Sequence, residues 1–561
     1  MAIDNAVQKK LQTWLDGPYD EETKAFIRSK KPEDLIDAFY TDLSFGTGGL
    51  RGIMGVGTNR MNRYTVQMAT QGLANYILKQ KESHPSVLIG YDSRHNSLFF
   101  AEETARVLAA NGITAYLLNE MRPTPYISFA TRHLKCTSGI MITASHNSAI
   151  YNGYKVYWKD GAQVVSPHDT GIMDEVHAIH SIADVKLSPL NDPLIKKTDV
   201  GPLDQEYLSA LRLLQLFPEE NKKNGKSLNI VYTSLHGTGI TTCPAALKDW
   251  GFTSIHYVEA QIKPDGDFPT VKFPNPEYKE ALQMGIDLLV QTNSDLLIAN
   301  DPDADRMGIV VMHHNTPIIL TGNQIATLCV HYLSETLTSQ NAMPLKGAFI
   351  TTIVSTELQK IIASHYKKPC FEVLTGFKYI GEKIHLWELG KDGAYEFLFG
   401  AEESYGFLRG THARDKDATI SSCLISEIAL SAKSKGKTLV DVLNEIYKQF
   451  GLFKEKQLSV NFDPGKEGME KMLQVMNTLR KNPPQSILEK KVIQFTDYEK
   501  GNDGLPPSDV LLFRLSDKSK LIIRPSGTEP KIKIYAEVQG ESATDEYLDT
   551  LLLNVKKLCS L

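Results

Sequence analysis

No stretch of this chain approaches the ~18 consecutive apolar residues that cross a bilayer as a helix, so no membrane partner is expected. Basic charge is not in excess either. Lys and Arg total 61 against 66 Asp and Glu, a formal net charge of -5, whereas nucleic-acid binding needs a concentrated basic face. Met1 to Lys10 is polar and mixed in charge, without the apolar core of a secretory leader. The six cysteines, Cys136, Cys243, Cys329, Cys370, Cys423 and Cys559, form no C-x-x-C pair. That spacing argues against a zinc site and a disulfide framework. Buried free thiols in a reducing cytosol are the expectation, and with them a cytoplasmic location. Nucleotide-binding signatures are missing as well. Gly225-Lys226-Ser227 and Gly436-Lys437-Thr438 look like the ends of P-loops, but Glu220 and Ser431 stand where the first glycine is required. Low-complexity tracts and short-period repeats are also lacking.

The 561 residues suggest three or four domains at roughly 150 residues each. The first ~40 residues read as amphipathic helix, with Leu11, Trp14 and Leu15 on one stripe. Units of apolar strand, polar loop and helix follow. Val87 to Gly90 leads into Tyr91-Asp92-Ser93-Arg94, and Gly139 to Thr143 leads into a loop at Ser145. Asn229 to Tyr232, Asp295 to Ala299 and Glu396 to Phe399 open three more. Such alternation implies α/β domains, in which ligands gather outside the carboxyl ends of strands. The last hundred residues differ. Strands near Val510 to Phe513, Leu521 to Ile523 and Ile532 to Tyr535, with a helix from about Thr544, suggest a smaller α+β domain.

Four polar loops carry possible chemistry. Thr143-Ala144-Ser145-His146-Asn147 follows an apolar strand and can present a serine hydroxyl, though turn chemistry alone would also explain it. No G-x-S-x-G surrounds Ser145, and neighbouring side chains in an extended loop point apart, so Ser145 and His146 are not a triad. Asp301-Pro302-Asp303-Ala304-Asp305-Arg306 sets three carboxylates at alternate positions, able to converge on Mg²⁺, Mn²⁺ or Ca²⁺. An EF-hand is excluded, because Arg306 and Met312 occupy the places of its glycine and glutamate. Arg524-Pro525-Ser526-Gly527-Thr528-Glu529-Pro530 can cradle a phosphate. Glu402-Glu403-Ser404, between Gly400 and Gly406, can bond vicinal hydroxyls.

Together, in this order and spacing, these four loops resemble the α-D-phosphohexomutase superfamily, from about Phe45 to Tyr535. Gly46-Thr47-Gly48-Gly49-Leu50-Arg51-Gly52, Tyr91 to Arg94, Asn152-Gly153-Tyr154-Lys155 and Thr375-Gly376-Phe377-Lys378 add to the likeness. Ala401 to Gly406 with Ala413-Arg414-Asp415-Lys416-Asp417 is most similar to the bacterial-type phosphoglucomutases. Ser148, where many relatives have Pro, and Ala401, where Gly is common, are small departures.

The resemblance implies an α/β protein of four domains around a central cleft. The first three would be similar α/β domains with mixed sheets, and the last a smaller α+β domain. The boundaries would fall at 1–205, 206–320, 321–452 and 453–561, carrying in turn the phosphoserine, metal, sugar and phosphate loops. It implies Ser145 as a phosphoserine and Mg²⁺ held by Asp301, Asp303, Asp305 and a phosphoserine oxygen, with Arg306 near that phosphate. Glu402 and Ser404 would contact sugar hydroxyls; Arg524, Ser526, Gly527 and Thr528 would grip the phosphate not in transfer; Thr47, Gly376 and Lys378 would join the substrate site. Arg51 and His146 would belong to the catalytic set, and Lys155 or Lys416 would be the general acid or base, with a pKa lowered by burial or nearby cations.

The implied reaction interconverts glucose 1-phosphate and glucose 6-phosphate through a glucose 1,6-bisphosphate that turns round in the cleft and also serves as activator. Phosphoryl transfer asks for a nucleophile, positioning and charge neutralisation, which these residues offer. Mannose or pentose phosphates, a phosphosugar-binding paralogue without catalysis, and a metal phosphatase using Ser145 are the alternatives. Monomer and dimer both stay open.

Overall fold

Val87, Leu88 and Ile89 are all fully buried, as a strand covered on both faces must be. They belong to a computed structural model that describes residues 5–43, 49–463, 466–502, 504–526 and 530–559. The chain divides into two units. One comprises Met1–Gly322, Phe377–Gly400 and Ser404–Thr438; the other comprises Asn323–Gly376, Ala401–Glu403 and Leu439–Leu561.

The first unit begins with helices Asn5–Asp16, Glu21–Ser29 and Pro32–Phe39. Leu11 and Trp14 are buried as their spacing requires, and Leu15 is partly buried. Trp14 stacks on Tyr19 at 4.3 Å and meets Phe39 edge-on at 5.3 Å, and Ile27 of the second helix joins the same buried cluster. A six-stranded mixed sheet follows, in the order Leu50–Ile53, Tyr151–Trp158, Ser138–Ile142, Ser86–Tyr91, Thr114–Leu118, Ile195–Thr198. Its last four strands are parallel, and the first two run antiparallel to their neighbours. Helix Arg63–Lys79 starts at a capping box in which Asn62 and Thr65 satisfy each other's backbone donors.

A five-stranded sheet comes next in sequence, ordered Thr316–Leu320, Met307–His313, Leu296–Asn300, Ile230–Thr233, Ile255–Tyr257, with the last three parallel. Later in the same unit, helix Ala418–Ser434 is buried on nearly every side, and its many Ala and Ser residues permit that close packing. Asp417 caps it, accepting from the backbone of Thr419 and Ile420 at 2.8 and 3.1 Å.

The second unit holds a parallel pair, Gly347–Thr352 with Cys370–Val373. It also holds an antiparallel six-stranded sheet ordered Phe453–Asn461, Lys531–Gln539, Lys520–Pro525, Leu511–Leu515, Lys490–Asp497, Ser486–Ile487. Helices Lys466–Lys481 and Asp545–Leu558 accompany it, the latter capped by Thr544. The α+β expectation for the C-terminal part holds. Strand Phe453–Asn461 was not foreseen, because it lies at a sheet edge and is charged along much of its length. All six cysteines are free, and five are buried. No helix among the described residues is long and apolar enough to cross a membrane.

Candidate active site

Strand Leu296–Asn300 delivers its chain directly into the aspartate loop. The loop curls because Asp301 turns back on it: Asp301 Oδ1 accepts from the backbone N–H of Asp305 at 3.1 Å and of Arg306 at 3.0 Å. Ala304 takes a left-handed backbone, φ 48°, an uncommon conformation for a residue with a Cβ. Asp301 and Asp303 are wholly buried and Asp305 nearly so. One oxygen from each lies within 4.8 Å of the others.

Two of the carboxylate oxygens, Asp303 Oδ1 and Asp305 Oδ1, are buried with no hydrogen-bond partner. Orphaned acceptors of this kind are rare, and three clustered carboxylates repel one another unless a cation is bound. An all-oxygen set of hard donors suits a hard divalent cation rather than zinc. The residues present therefore fit a metal ion.

Ser145 stands at the end of strand Ser138–Ile142, also left-handed at φ 52°. Its hydroxyl donates to Asp301 Oδ2 at 2.9 Å and lies 3.1 Å from His146 Nδ1, so these two side chains do not point apart as an extended loop would have them: the backbone at Ser145 is left-handed, not extended. The loop is held from below by Arg94, whose guanidinium donates to the carbonyls of Ser145 and Asn147 at 2.5 Å, Ser148 at 2.8 Å and Tyr151 at 3.1 Å. Asp92 pairs with Arg94 at 3.4 Å, both side chains being fully buried. Gly153 passes so close beneath that a Cβ there would lie 2.5 Å from the Thr143 carbonyl oxygen. Arg51 donates to Asn147 at 3.2 Å.

The charges around the aspartates are dense. Lys155 Nζ donates to Asp303 Oδ2 at 2.7 Å and Asp305 Oδ2 at 3.0 Å. Lys416 Nζ lies 3.2 Å from Asp305 and 3.0 Å from Asp415. Arg306 pairs with Glu277 at 2.5 Å. Burial pushes Asp301 well above the usual carboxylate range, and Asp305 and Asp303 add to it. Burial pushes Asp305 the same way, but Lys155, Lys416 and Arg306 outweigh it and hold that group far below its ordinary value. Burial, then Arg306 and Arg51, depresses His146 well below its usual value, so its imidazole stays neutral. Lys155 departs from the sequence expectation of a lowered pKa. Burial acts in that direction, but Asp303 and Asp305 prevail and raise it.

Reading the sequence missed two members of this cluster. Thr124, first residue of helix Thr124–His133, donates to Asp303 Oδ2 at 2.6 Å through its hydroxyl and to the Asp303 carbonyl at 2.8 Å through its N–H. Its flanking prolines, Pro123 and Pro125, announce a stiff helix start but no chemistry. Arg94 stood in a quoted motif without a role.

The remaining candidates fall on both units. In the first, Lys378 opens helix Phe377–Glu388 with its Nζ 3.7 Å from Asp169, and Ser404 is half-buried. Gly406 there packs so tightly that a Cβ would meet Lys416 Cδ at 2.1 Å. In the second, Glu402 is buried and its Oε1 accepts from the N–H of Gly376 at 2.9 Å. Arg524 is the penultimate residue of strand Lys520–Pro525, and Ser526 N donates to the Lys531 carbonyl at 2.8 Å. Thr47, Gly527 and Thr528 lie outside the described residues.

A buried serine hydroxyl bonded to a carboxylate cluster, at the carboxyl ends of α/β strands, is the equipment of a phosphoryl-transfer enzyme. Four family descriptions match in order. Phosphoglucomutase/phosphomannomutase alpha/beta/alpha domain I matches residues 42–183, domain II 205–314, domain III 321–450, and the C-terminal domain 488–553. The chain belongs to this phosphoglucomutase/phosphomannomutase family, within the α-D-phosphohexomutase superfamily, whose members are isomerase-class phosphosugar mutases.

A phosphoglucomutase of Staphylococcus haemolyticus is 38% identical over 545 residues, covering 94% of this chain and 96% of that one. A Staphylococcus aureus phosphoglucomutase is 37% identical over 549 residues, covering 95% and 96%. Among solved structures, a putative phosphomannomutase from Thermus thermophilus shares the fold with a TM-score of 0.70 at 21% identity, covering 92% of this chain and 99% of the other. Paramecium pp63/parafusin in its open form gives 0.69 at 20% identity, covering 92% and 95%.

Proposed function

We propose that this chain is a phosphoglucomutase, interconverting α-D-glucose 1-phosphate and glucose 6-phosphate through a phosphoserine at Ser145. The observation that carries this reading is the 2.9 Å hydrogen bond from Ser145 Oγ to Asp301, inside a buried carboxylate cluster with unpartnered oxygens. The names of relatives at 38% and 37% identity support the choice of sugar.

In this reading the Oγ–P bond of phosphoserine breaks as a sugar hydroxyl oxygen bonds to phosphorus. The hydroxyl proton passes to a base and the leaving Oγ takes up a proton; after reorientation of glucose 1,6-bisphosphate, Oγ gives up that proton and bonds to the second phosphorus as the sugar O–P bond breaks, and the freed sugar oxygen is protonated. Lys155 or Lys416 carries the proton. Arg51 and Arg306 add positive charge, Glu402, Ser404, Gly376, Lys378 and Thr47 orient the sugar, and Arg524, Ser526, Gly527 and Thr528 hold the idle phosphate. Asp301, Asp303 and Asp305 would hold Mg²⁺, which when bound neutralises charge on the group in transfer. The domains would divide at 1–205, 206–320, 321–452 and 453–561, and the enzyme would work in the cytoplasm.

A coupled assay with glucose 1-phosphate, Mg²⁺ and a trace of glucose 1,6-bisphosphate tests this. Turnover that vanishes with chelator and in Ser145→Ala, together with a phosphate mass adduct lost in that variant, is expected. Faster turnover of mannose or ribose phosphates would overturn the sugar assignment. A Ser145→Ala enzyme near the unmutated rate would overturn the mechanism.

A further inference from the structure

The three N-terminal helices precede the domain I match, which begins at residue 42. The segment Pro18 to Asp20 between the first two of them lines an open cavity of about 480 Å³, a volume in the range of small-molecule sites. Tyr19 and Asp20 form one side, Arg63 at the start of helix Arg63–Lys79 and Arg106 on helix Ser97–Ala110 form another, and Ile182 and Val185 give an apolar edge. None of these residues takes part in the Ser145 and Asp301 cluster.

The charges in this cavity are unequally used. Asp20 Oδ1 accepts from Thr23 N at 2.7 Å, and its Oδ2 accepts from the Tyr64 hydroxyl. Glu103 Oε1 accepts from Arg106 at 2.7 Å, and its Oε2 accepts from Gln67. All four carboxylate oxygens therefore have donors. The guanidiniums are less occupied. Arg63 lies over the Phe99 ring at 5.0 Å and reaches Asp20 only at 3.7 Å, beyond hydrogen-bond length. Arg106 uses Nε on the Ser188 carbonyl at 2.9 Å and one terminal nitrogen on Glu103, leaving the other. The spare charged groups are thus donors with fork geometry, which suits carboxylate or phosphate oxygens.

We infer that this cavity is a binding site for a small organic anion, its carboxylate or phosphate oxygens on Arg63 and Arg106 and its carbon skeleton against Tyr19, Ile182 and Val185. Residues 18–20 come from the segment ahead of the domain I match, whereas Arg63, Arg106 and Ile182 lie within it, so the site forms where the two meet.

Citrate and phosphoenolpyruvate, added separately to the full chain, probe the two anion types through thermal unfolding. A rise in midpoint with citrate alone assigns a polycarboxylate, with phosphoenolpyruvate alone a phosphate ester. The rise should survive in Arg524→Gln, which alters the proposed active-site phosphate grip. It should fall at least tenfold in apparent affinity in Arg63→Gln and in Ala183→Trp, which fills the cavity. The Arg63 side chain makes only the Phe99 stack and the long Asp20 pair, and Ala183 is exposed, so both variants should keep the mutase rate, and the rise is read against each variant's own unliganded midpoint. Hydrogen exchange of the unmutated chain gives an independent reading: the probe should protect 18–20, 63–67 and 182–187. No response to either probe, a response unchanged in both cavity variants, or protection confined to other segments would overturn the inference.

Discussion

Arg94 donates to the carbonyl oxygen of Ser145 at 2.5 Å while pairing with buried Asp92. One planar group thereby fixes the backbone of the proposed nucleophile from a segment 51 residues earlier. Lysine keeps the charge but cannot cover four carbonyls. Arg94→Lys should therefore lower kcat on the order of 100-fold through misplacement of Ser145, with KM for glucose 1-phosphate little changed. Arg94→Met should in addition cost about 3–5 kcal/mol of stability, because it leaves Asp92 buried and unpaired. Steady-state kinetics and urea unfolding separate the two effects. A large KM change with kcat intact would count against a positioning role.

Gly406 and Lys416 share a space with no room for another carbon. Gly406→Ala should push the Lys416 side chain away from Asp305 and Asp415. Overpacking of this kind costs about 1–3 kcal/mol, and the mutase rate should fall by roughly 10- to 100-fold, as expected when a charged group is displaced near the reacting atoms. Thermal unfolding and the coupled assay report both quantities. An unchanged rate would remove Lys416 from the proton-carrying role.

Glu455 and Glu537 face each other across adjacent strands of the antiparallel sheet, and Lys520 stands opposite Glu537 on the next. Glu357, Thr356 and Asn323 also approach this row. Burial, then Glu537, pushes the Glu455 carboxyl up to about 7 from an ordinary 4.5. The folded state thus binds more protons than the unfolded chain between those values, and its stability should fall as pH rises through that window. Urea midpoints should be higher near about pH 5 than near about pH 8, and Glu455→Gln should flatten the difference. A slope of opposite sign at this site would refute the assignment.

Contiguous chemistry was legible in the sequence, and chemistry assembled from afar was not. Asp301, Asp303 and Asp305 announce themselves within five residues, and Leu296 to Ala299 in the strand before them is an apolar run. Thr124 meets Asp303 across 179 positions, and no pattern around Thr124 carries that information. Lys155 was legible as a residue but not in its ionisation. The direction of its shift depends on two carboxylates 148 and 150 positions away, whose attraction outweighs burial. The edge strand Phe453–Asn461 escaped for a different reason: its partners supply the backbone pairing that its charged side chains do not advertise.

The left-handed backbone at Ser145 has a consequence for how this chain can change. A side chain in that conformation costs roughly 1–3 kcal/mol, a penalty glycine avoids. Ser145→Gly should therefore raise the unfolding midpoint, or at least fail to lower it, while abolishing turnover. Selection for robustness and selection for activity pull in opposite directions at this one position. A thermostability screen run without an activity filter would be expected to discard the proposed nucleophile.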